Sequence, residues 1–376
     1  MKEEVLWYWM RELAGGPGTA RGHQLLQAYG TPKGLLERSR GEIESDAALT
    51  PAEKRAVLSP DFSKAEEAVR LAEEYGCRVI TPESADYPRL LSHIPAPPMI
   101  LFVQGDIGVV KNRYVIAMVG TRNPNEYGIA AAKKIAGEIG RSGGVVVSGL
   151  AMGIDAVCHS ACLKAGSQSV AFVAGGLDID YPARNHELRR MLEKNGAVVS
   201  EYPLGMEPHK THFNVRNRLI SGISLATVVV QAKRHSGTLL TAKHAEEQNR
   251  DLYAVPGSIF DPMMEGCHAL LSETAKPAVS GGDIIADFAA VYGYPIGPAS
   301  GTEQDGETAP TVPGILTEGQ GKIYLELYNR SMTADELSEK MKLPASELLP
   351  ALTEMEIFGF VRAKPGRVFE AVPYRP

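Results

Sequence analysis

No stretch of this chain supplies the roughly 20 consecutive apolar residues of a membrane span, so no transmembrane helix is expected. Met1-Lys2-Glu3-Glu4 places acids where an export signal carries bases, and the expected location is the cytoplasm. Cysteine is scarce. The four present, Cys77, Cys158, Cys162 and Cys267, form no C-x-x-C pair, which argues against a disulfide framework and for free thiols in a reducing compartment. An excess of positive charge is missing too: 39 Lys and Arg face 45 Asp and Glu, a net charge of -6. A nucleic-acid site on such a chain must be a local basic patch on an acidic body.

Several catalytic and cofactor signatures are absent. There is no Walker A motif, since Gly321-Lys322 is followed by Ile323, so ATP hydrolysis has no support. The first Gly-rich turn is not G-x-G-x-x-G, which removes the dinucleotide fingerprint. Gly140-Arg141-Ser142-Gly143-Gly144 has the letters of a hydrolase elbow, but at a helix end before a strand, the reverse of what that chemistry needs. Cys158, His159 and Cys162 share a helix face with a spacing that zinc tolerates, yet small buried cysteines on a sheet-packing helix need no metal. Neither a cofactor nor a metal is expected.

Residues 1–62 read as short helices around the turn Gly15-Gly16-Pro17-Gly18, a small helical domain of helix-hairpin-helix or SAM-like type. The turn amides of such a module can approach a DNA phosphate, but few basic residues flank this one, which favours a helix pair that only packs on its neighbour. From about Tyr114 the rhythm changes. Apolar runs at Tyr114–Val119, Val145–Ser148, Ser169–Val173, Ala197–Glu201, Ala226–Gln231 and Leu252–Val255 are each followed by a turn and a helical segment. Because these runs do not alternate, they predict strands buried on both faces, and residues 63–292 are expected to form a doubly wound, mostly parallel α/β domain of Rossmann-like type. Residues 293–317, beginning GYPIGPASGTEQDGETAPTVP, read as a linker. Residues 318–376 show the helix-helix-helix-hairpin order of a winged helix, with Thr333-Ala334-Asp335-Glu336 as a capping box and a hairpin around Pro365-Gly366.

Open α/β sheets bind ligands beyond the carboxyl ends of their strands. Three Gly-rich turns fall there: Gly120-Thr121-Arg122, Ser148-Gly149 and Gly175-Gly176. Exposed amides at the following helix starts favour an anion such as phosphate. The segment Pro208-His209-Lys210-Thr211-His212-Phe213-Asn214-Val215-Arg216-Asn217-Arg218 adds permanent cations for phosphates and an aromatic face for a base. After the fifth run, Ser236-Gly237-Thr238 offers hydroxyls at a helix start, where capping is the commoner use.

These blocks, VGTRNPNEYG, SGLAMGIDAVCH, GGLDIDYPARN, SEYPLGMEPHKTHFNVRNRLISG, SGTLLTA and AVPG, together resemble the DprA/Smf family over nearly the whole chain, most specifically from Tyr114 to Gly257. The resemblance implies a non-enzymatic single-stranded DNA-binding protein that protects incoming DNA during natural transformation and helps load the RecA recombinase, and a homodimer formed through the Rossmann-like domain. It implies phosphate contacts from Arg122 and Lys210, a base contact from Phe213, and a groove shaped by Arg216, Asn217 and Arg218. Gln231 departs from the family's usual acid at that position. The expected DNA-binding set is therefore Gly120, Thr121, Arg122, Ser148, Gly149, Gly175, Gly176, Lys210, Phe213, Arg216, Asn217 and Arg218. The rival reading is a nucleotide N-glycosidase of a related fold using Asp155, Asp178, Asp180 and Glu201; its P-G-G-x-G-T-x-x-E block is missing. A protein-interaction scaffold is the second rival, favoured by a candidate recognition helix near Ser346 to Phe358 that carries Glu347, Glu354 and Glu356 but no Lys or Arg.

Overall fold

The apolar runs do become strands, and they order themselves into one sheet. In the computed structural model, which describes residues 1–294, 316–329, 331–357, 360–364 and 368–371, the strands of the first unit are β1 (Arg78–Ile80), β2 (Leu101–Gly105), β3 (Val115–Val119), β4 (Val145–Ser148), β5 (Ser169–Val173), β6 (Gly196–Ser200), β7 (Ala226–Val229), β8 (Asp251–Ala254) and β9 (Lys276–Pro277). They form a nine-stranded sheet in the order β1-β2-β6-β5-β4-β3-β7-β8-β9. From β6 through to β9 every neighbouring pair is parallel; β2 runs antiparallel to β6, and β1 to β2.

The all-apolar strands sit between two cores, as their lack of alternation requires. On β5, Val170 and Phe172 join one hydrophobic cluster while Ala171 and Val173 join the other. The second cluster is closed by the N-terminal helices: Trp7, Tyr8 and Met10 of the helix Glu3–Leu13 pack in it together with Phe102, Ala171 and Val198 of the sheet. The helical module thus shares a core with β2, β5 and β6 rather than forming one of its own. Its turn comes close to the helix Lys210–Gly222, where a Cβ on Gly18 would lie 2.6 Å from Val215 Cγ1 and 2.9 Å from Arg218 Nε.

Contacts divide the chain into two compact units, Met1–Ala299 and Ser300–Pro376. The second has its own core of Ile323, Tyr324, Leu327, Leu337, Leu348, Leu352 and Met355. Its helices Glu318–Asn329, Ala334–Met341 and Ala345–Ile357 are followed by β11 (Val361–Lys364) and β12 (Val368–Ala371), with β10 (Met332–Thr333) completing a three-stranded sheet in the order β10-β12-β11. The Thr333 capping box forms, its hydroxyl and the Glu336 carboxylate each accepting from the other residue's backbone N–H. The unit is a winged helix. Of the linker 293–317, residues 295–315 lie outside the described residues, as do the Pro365-Gly366 turn and Phe358.

Candidate nucleic-acid interface

The parallel order reverses direction at β3, with β4 on one side and β7 on the other. Beyond the carboxyl ends of β3 and β7 the two chains part, and a doubly wound sheet places its ligand crevice at such a switch point. Thr121 N–H still donates to Gln231 O at 2.9 Å; past that bond lies a cleft of about 970 Å³. Its walls come from Gly120, Thr121 and Arg122 after β3, from Ala151 and Asp155 after β4, from Ser236, Gly237 and Thr238 after β7, and from Lys210, Phe213, Arg216 and Asn217 of the helix Lys210–Gly222.

The floor is held by backbone packing. Ile154 N–H donates to Thr121 O at 3.1 Å, an approach that Gly153 makes possible: its φ is +81°, and a Cβ there would lie 2.4 Å from Thr121 O. Asp155 accepts from the N–H groups of Gly149 and Ala151 at 3.2 and 3.3 Å, fixing the turn after β4. Burial pushes the Asp155 carboxyl above the usual range while the Arg216 charge pulls it back. Arg216 is 4% exposed and donates to Gly149 O at 2.9 Å and to Phe172 O. Burial lowers its pKa to about 10, which leaves it a cation at neutral pH.

Above this floor stand groups with their charge in solvent. Arg122 and Lys210 are exposed and make no ion pair among the described residues. Arg122 lies 5.1 Å from the Phe213 ring centroid, Arg216 lies 5.7 Å from it, and the Tyr181 ring is 6.0 Å away, tilted by 57°. Lys210 opens its helix, and that first turn contains no acid. A cation at a helix N-terminus opposes the macrodipole by about 0.3–1 kcal/mol, an arrangement that a bound anion reverses. The helix Thr238–Glu247 also starts at the cleft with no acid in its first turn, whereas Glu126 and Asp155 stand in the first turns of the helices Glu126–Arg141 and Ile154–Lys164.

Of the residues expected from the sequence, Gly120, Thr121, Arg122, Lys210, Phe213, Arg216 and Asn217 come together around the cleft. Ser148, Gly149, Gly175 and Gly176 are buried beneath it. Ser148 Oγ donates to Met118 O, Gly149 leaves room for the Arg216 guanidinium, and Gly176 N–H donates to Met206 O at 2.8 Å. Arg218 is turned away from the cleft: 6% exposed, it is paired with Glu201 at 2.7 Å. Arg11 donates to Glu201 O at 3.0 Å, which brings the first helix into the same knot. Ser236 and Thr238 offer hydroxyls for capping or for phosphate; Gly237 stands at the N-cap and no side chain caps the helix, Ser236 Oγ accepting instead from Thr238 N–H at 3.2 Å in the turn before it, and the three residues line the cleft. Gln231, fully buried, accepts from Asn125 N–H at 3.1 Å and donates to Asn125 Oδ1 at 2.8 Å, clamping the cap of the next helix.

The carboxylates of the rival reading all have partners. Asp155 holds the β4 turn, Asp178 accepts from Gly205 N–H at 2.9 Å, Asp180 pairs with His186 at 2.9 Å, and Glu201 pairs with Arg218. Only Asp155 among the four lines the cleft. The helix face singled out for its cysteines is interior: Cys158 and Cys162 are fully buried, and His159 Nδ1 bonds Ser169 Oγ at 2.8 Å.

Fold and cleft define the class: a Rossmann-like α/β protein with an electropositive, aromatic crevice at its switch point, followed in sequence by a winged helix. Residues 78–289 match the family model of DNA recombination-mediator protein A, and residues 307–367 match the DprA winged helix domain. The chain belongs to the DNA recombination-mediator protein A family. It is 33% identical over 315 residues to the Smf protein of Synechocystis, covering 77% of this chain and 79% of that one, and 42% identical over 215 residues to the DNA processing protein DprA of Bacillus subtilis, covering 57% and 72%. Among solved structures, DprA of Streptococcus pneumoniae superposes with a TM-score of 0.65 at 30% identity, covering 76% of this chain and 99% of that one. DNA processing protein A of Helicobacter pylori, described for its single-stranded DNA binding mode, superposes with a TM-score of 0.52 at 27% identity, covering 57% and 96%.

Proposed function

We propose that this chain binds single-stranded DNA in the switch-point crevice and acts by holding the strand rather than by transforming it. The observation that carries this is the juxtaposition in one cleft of an accessible aromatic ring, Phe213, with two cations, Arg122 and Lys210, that make no ion pair among the described residues. A phosphate needs the cations and an unstacked base needs the ring. A duplex keeps its bases stacked and offers the ring nothing. With its carboxylates engaged in internal bonds, the cleft is better furnished for binding than for general acid–base chemistry. The same reading extends to the family role: protection of incoming strands in the cytoplasm during natural transformation, delivery to the RecA recombinase, and assembly as a homodimer. The single-stranded DNA binding described for the Helicobacter pylori relative supports the choice of a single strand as the ligand.

The test is fluorescence anisotropy with a labelled oligonucleotide and its duplex at two salt concentrations. Wild type is expected to prefer the single strand. Phe213→Ala weakens binding by roughly 5- to 150-fold, the equivalent of about 1–3 kcal/mol for one stacked base. Lys210→Ala and Arg122→Ala each reduce the slope of log affinity against log salt by about 0.7. A wild type without strand preference, or three variants that bind like it, would overturn the assignment.

A further inference from the structure

One stretch at the mouth of the crevice has an unusual charge pattern for this chain. Lys233, Arg234 and His235 follow one another between β7 and the helix Thr238–Glu247, all three exposed. Among the described residues none of their side chains makes an ion pair or hydrogen bond. Some exposed cations on the same acidic body have counterions, as Arg70 has Glu67 and Glu74, Lys111 has Asp86, and Lys276 has Asp251 and Asp287; others, Lys133, Lys164 and Arg190 among them, make no ion pair among the described residues, but they do not stand three in a row. Lys233 and Arg234, adjacent and without a counterion among the described residues, repel each other and gain nothing within the chain.

Their backbone, by contrast, is tied at Lys233 and at the flanking residues Ala232 and Ser236. Gly266 N–H donates to Ala232 O at 2.8 Å, and Ser236 N–H donates to Lys233 O at 3.1 Å, closing a turn. The helix Glu265–Glu273 approaches so closely that a Cβ on Gly266 would lie 2.7 Å from Ala232 O and 2.8 Å from Lys233 O. The next residues, Ser236, Gly237 and Thr238, line the crevice. By chain reach, the three bases stand within about 11 Å of it.

We propose that Lys233, Arg234 and His235 form a basic arm that extends the DNA track past the β7 side of the crevice and holds phosphates beyond those gripped at Arg122 and Lys210. This rests on the single-strand reading of the crevice. The strand runs from the Tyr181–Phe213 aromatic end, over Arg122, past the helix start at Thr238, and onto the arm. Because the turn is already closed by the Ser236 N–H bond to Lys233 O, less of its main-chain freedom remains to be lost when it takes up phosphates. The arm adds length and salt sensitivity but no base preference, since it carries no aromatic side chain beyond the imidazole.

The experiment compares the full-length wild type with Lys233→Ala/Arg234→Ala on oligothymidylates of about 5 and about 12 nucleotides, at several salt concentrations. Lys133→Ala/Lys164→Ala, which removes the same charge from the separate groove between the helices Glu126–Arg141 and Ile154–Lys164, controls for net charge, and Lys210→Ala reports on the crevice. The arm predicts that its double variant loses affinity increasingly with strand length, by tenfold or more on the longer strand. Its salt slope should be shallower by about 1.4, two phosphates at about 0.7 each, while the control stays close to wild type. Equal loss in the control, equal loss at both lengths, or no loss while Lys210→Ala is impaired would each overturn the arm and leave the crevice standing. Absence of single-strand binding by wild type would overturn both.

Discussion

Lys210, Phe213, Arg216 and Arg218 stand on one helix, and the structure divides them between solvent and core. Lys210 is exposed and unpaired among the described residues; Arg216 and Arg218 are buried, the first bonded to backbone carbonyls under the crevice and the second to Glu201. Removing one member of a buried ion pair costs about 3–5 kcal/mol because the other charge is stranded. Glu201→Ala is therefore expected to lower the unfolding free energy by that order in a denaturant titration, with Lys210→Ala within about 0.5 kcal/mol of wild type. A second effect follows from His159, which burial pushes down to a pKa of about 3. The folded state keeps this ring neutral while the unfolded chain protonates it below about pH 6.5, so its contribution is whole above that value and falls as pH drops towards 3, by at most about 1.4 kcal/mol per unit. Thermal melts at pH 7 and pH 5 should show a drop for wild type that is smaller for His159→Asn. That the cations of this segment are gathered on one helix was legible in the sequence. Which of its cations already had a partner was not, because Glu201 reaches Arg218 only through the fold.

At the scale of elements, the six apolar runs of the doubly wound core were legible because strands buried on both faces leave an uninterrupted apolar signature. β2 was not: Leu101–Gly105 follows the Pro-rich stretch before Met99 and pairs antiparallel at the flank, outside the βα rhythm. Two-residue β9 carries no periodicity at all. The glycines in the turns after β3 and β4 point in the sequence to ligand loops; what the structure shows is the two loops locking each other through Gly153. Gly153→Ala would force a Cβ against Thr121 O in a left-handed backbone conformation, so a loss of more than about 1 kcal/mol is expected together with weaker oligonucleotide binding. Circular dichroism melts and anisotropy on the same sample check both. If stability falls while affinity in the folded state is unchanged, the lock does not shape the crevice.

The whole molecule holds two cores that share no residue with the winged helix's own. A chain ending at residue 294 is accordingly expected to unfold cooperatively at close to the wild-type midpoint for the first unit. Loss of residues 1–62 would strip Trp7, Tyr8 and Met10 from the core that holds Phe102, Ala171 and Val198, and should give an insoluble or dye-binding product; native gels and a hydrophobic dye distinguish the two truncations. The large sheet ends at both flanks in strands of very few residues: β1, where Arg78 is paired with Asp86, and β9, which consists of Lys276 and a proline with no N–H to donate. An open row of backbone donors and acceptors recruits neighbouring chains, and shortness, charge and proline are the devices that blunt it. Both edges of the sheet are therefore too short and too charged to nucleate fibrils between copies of the chain.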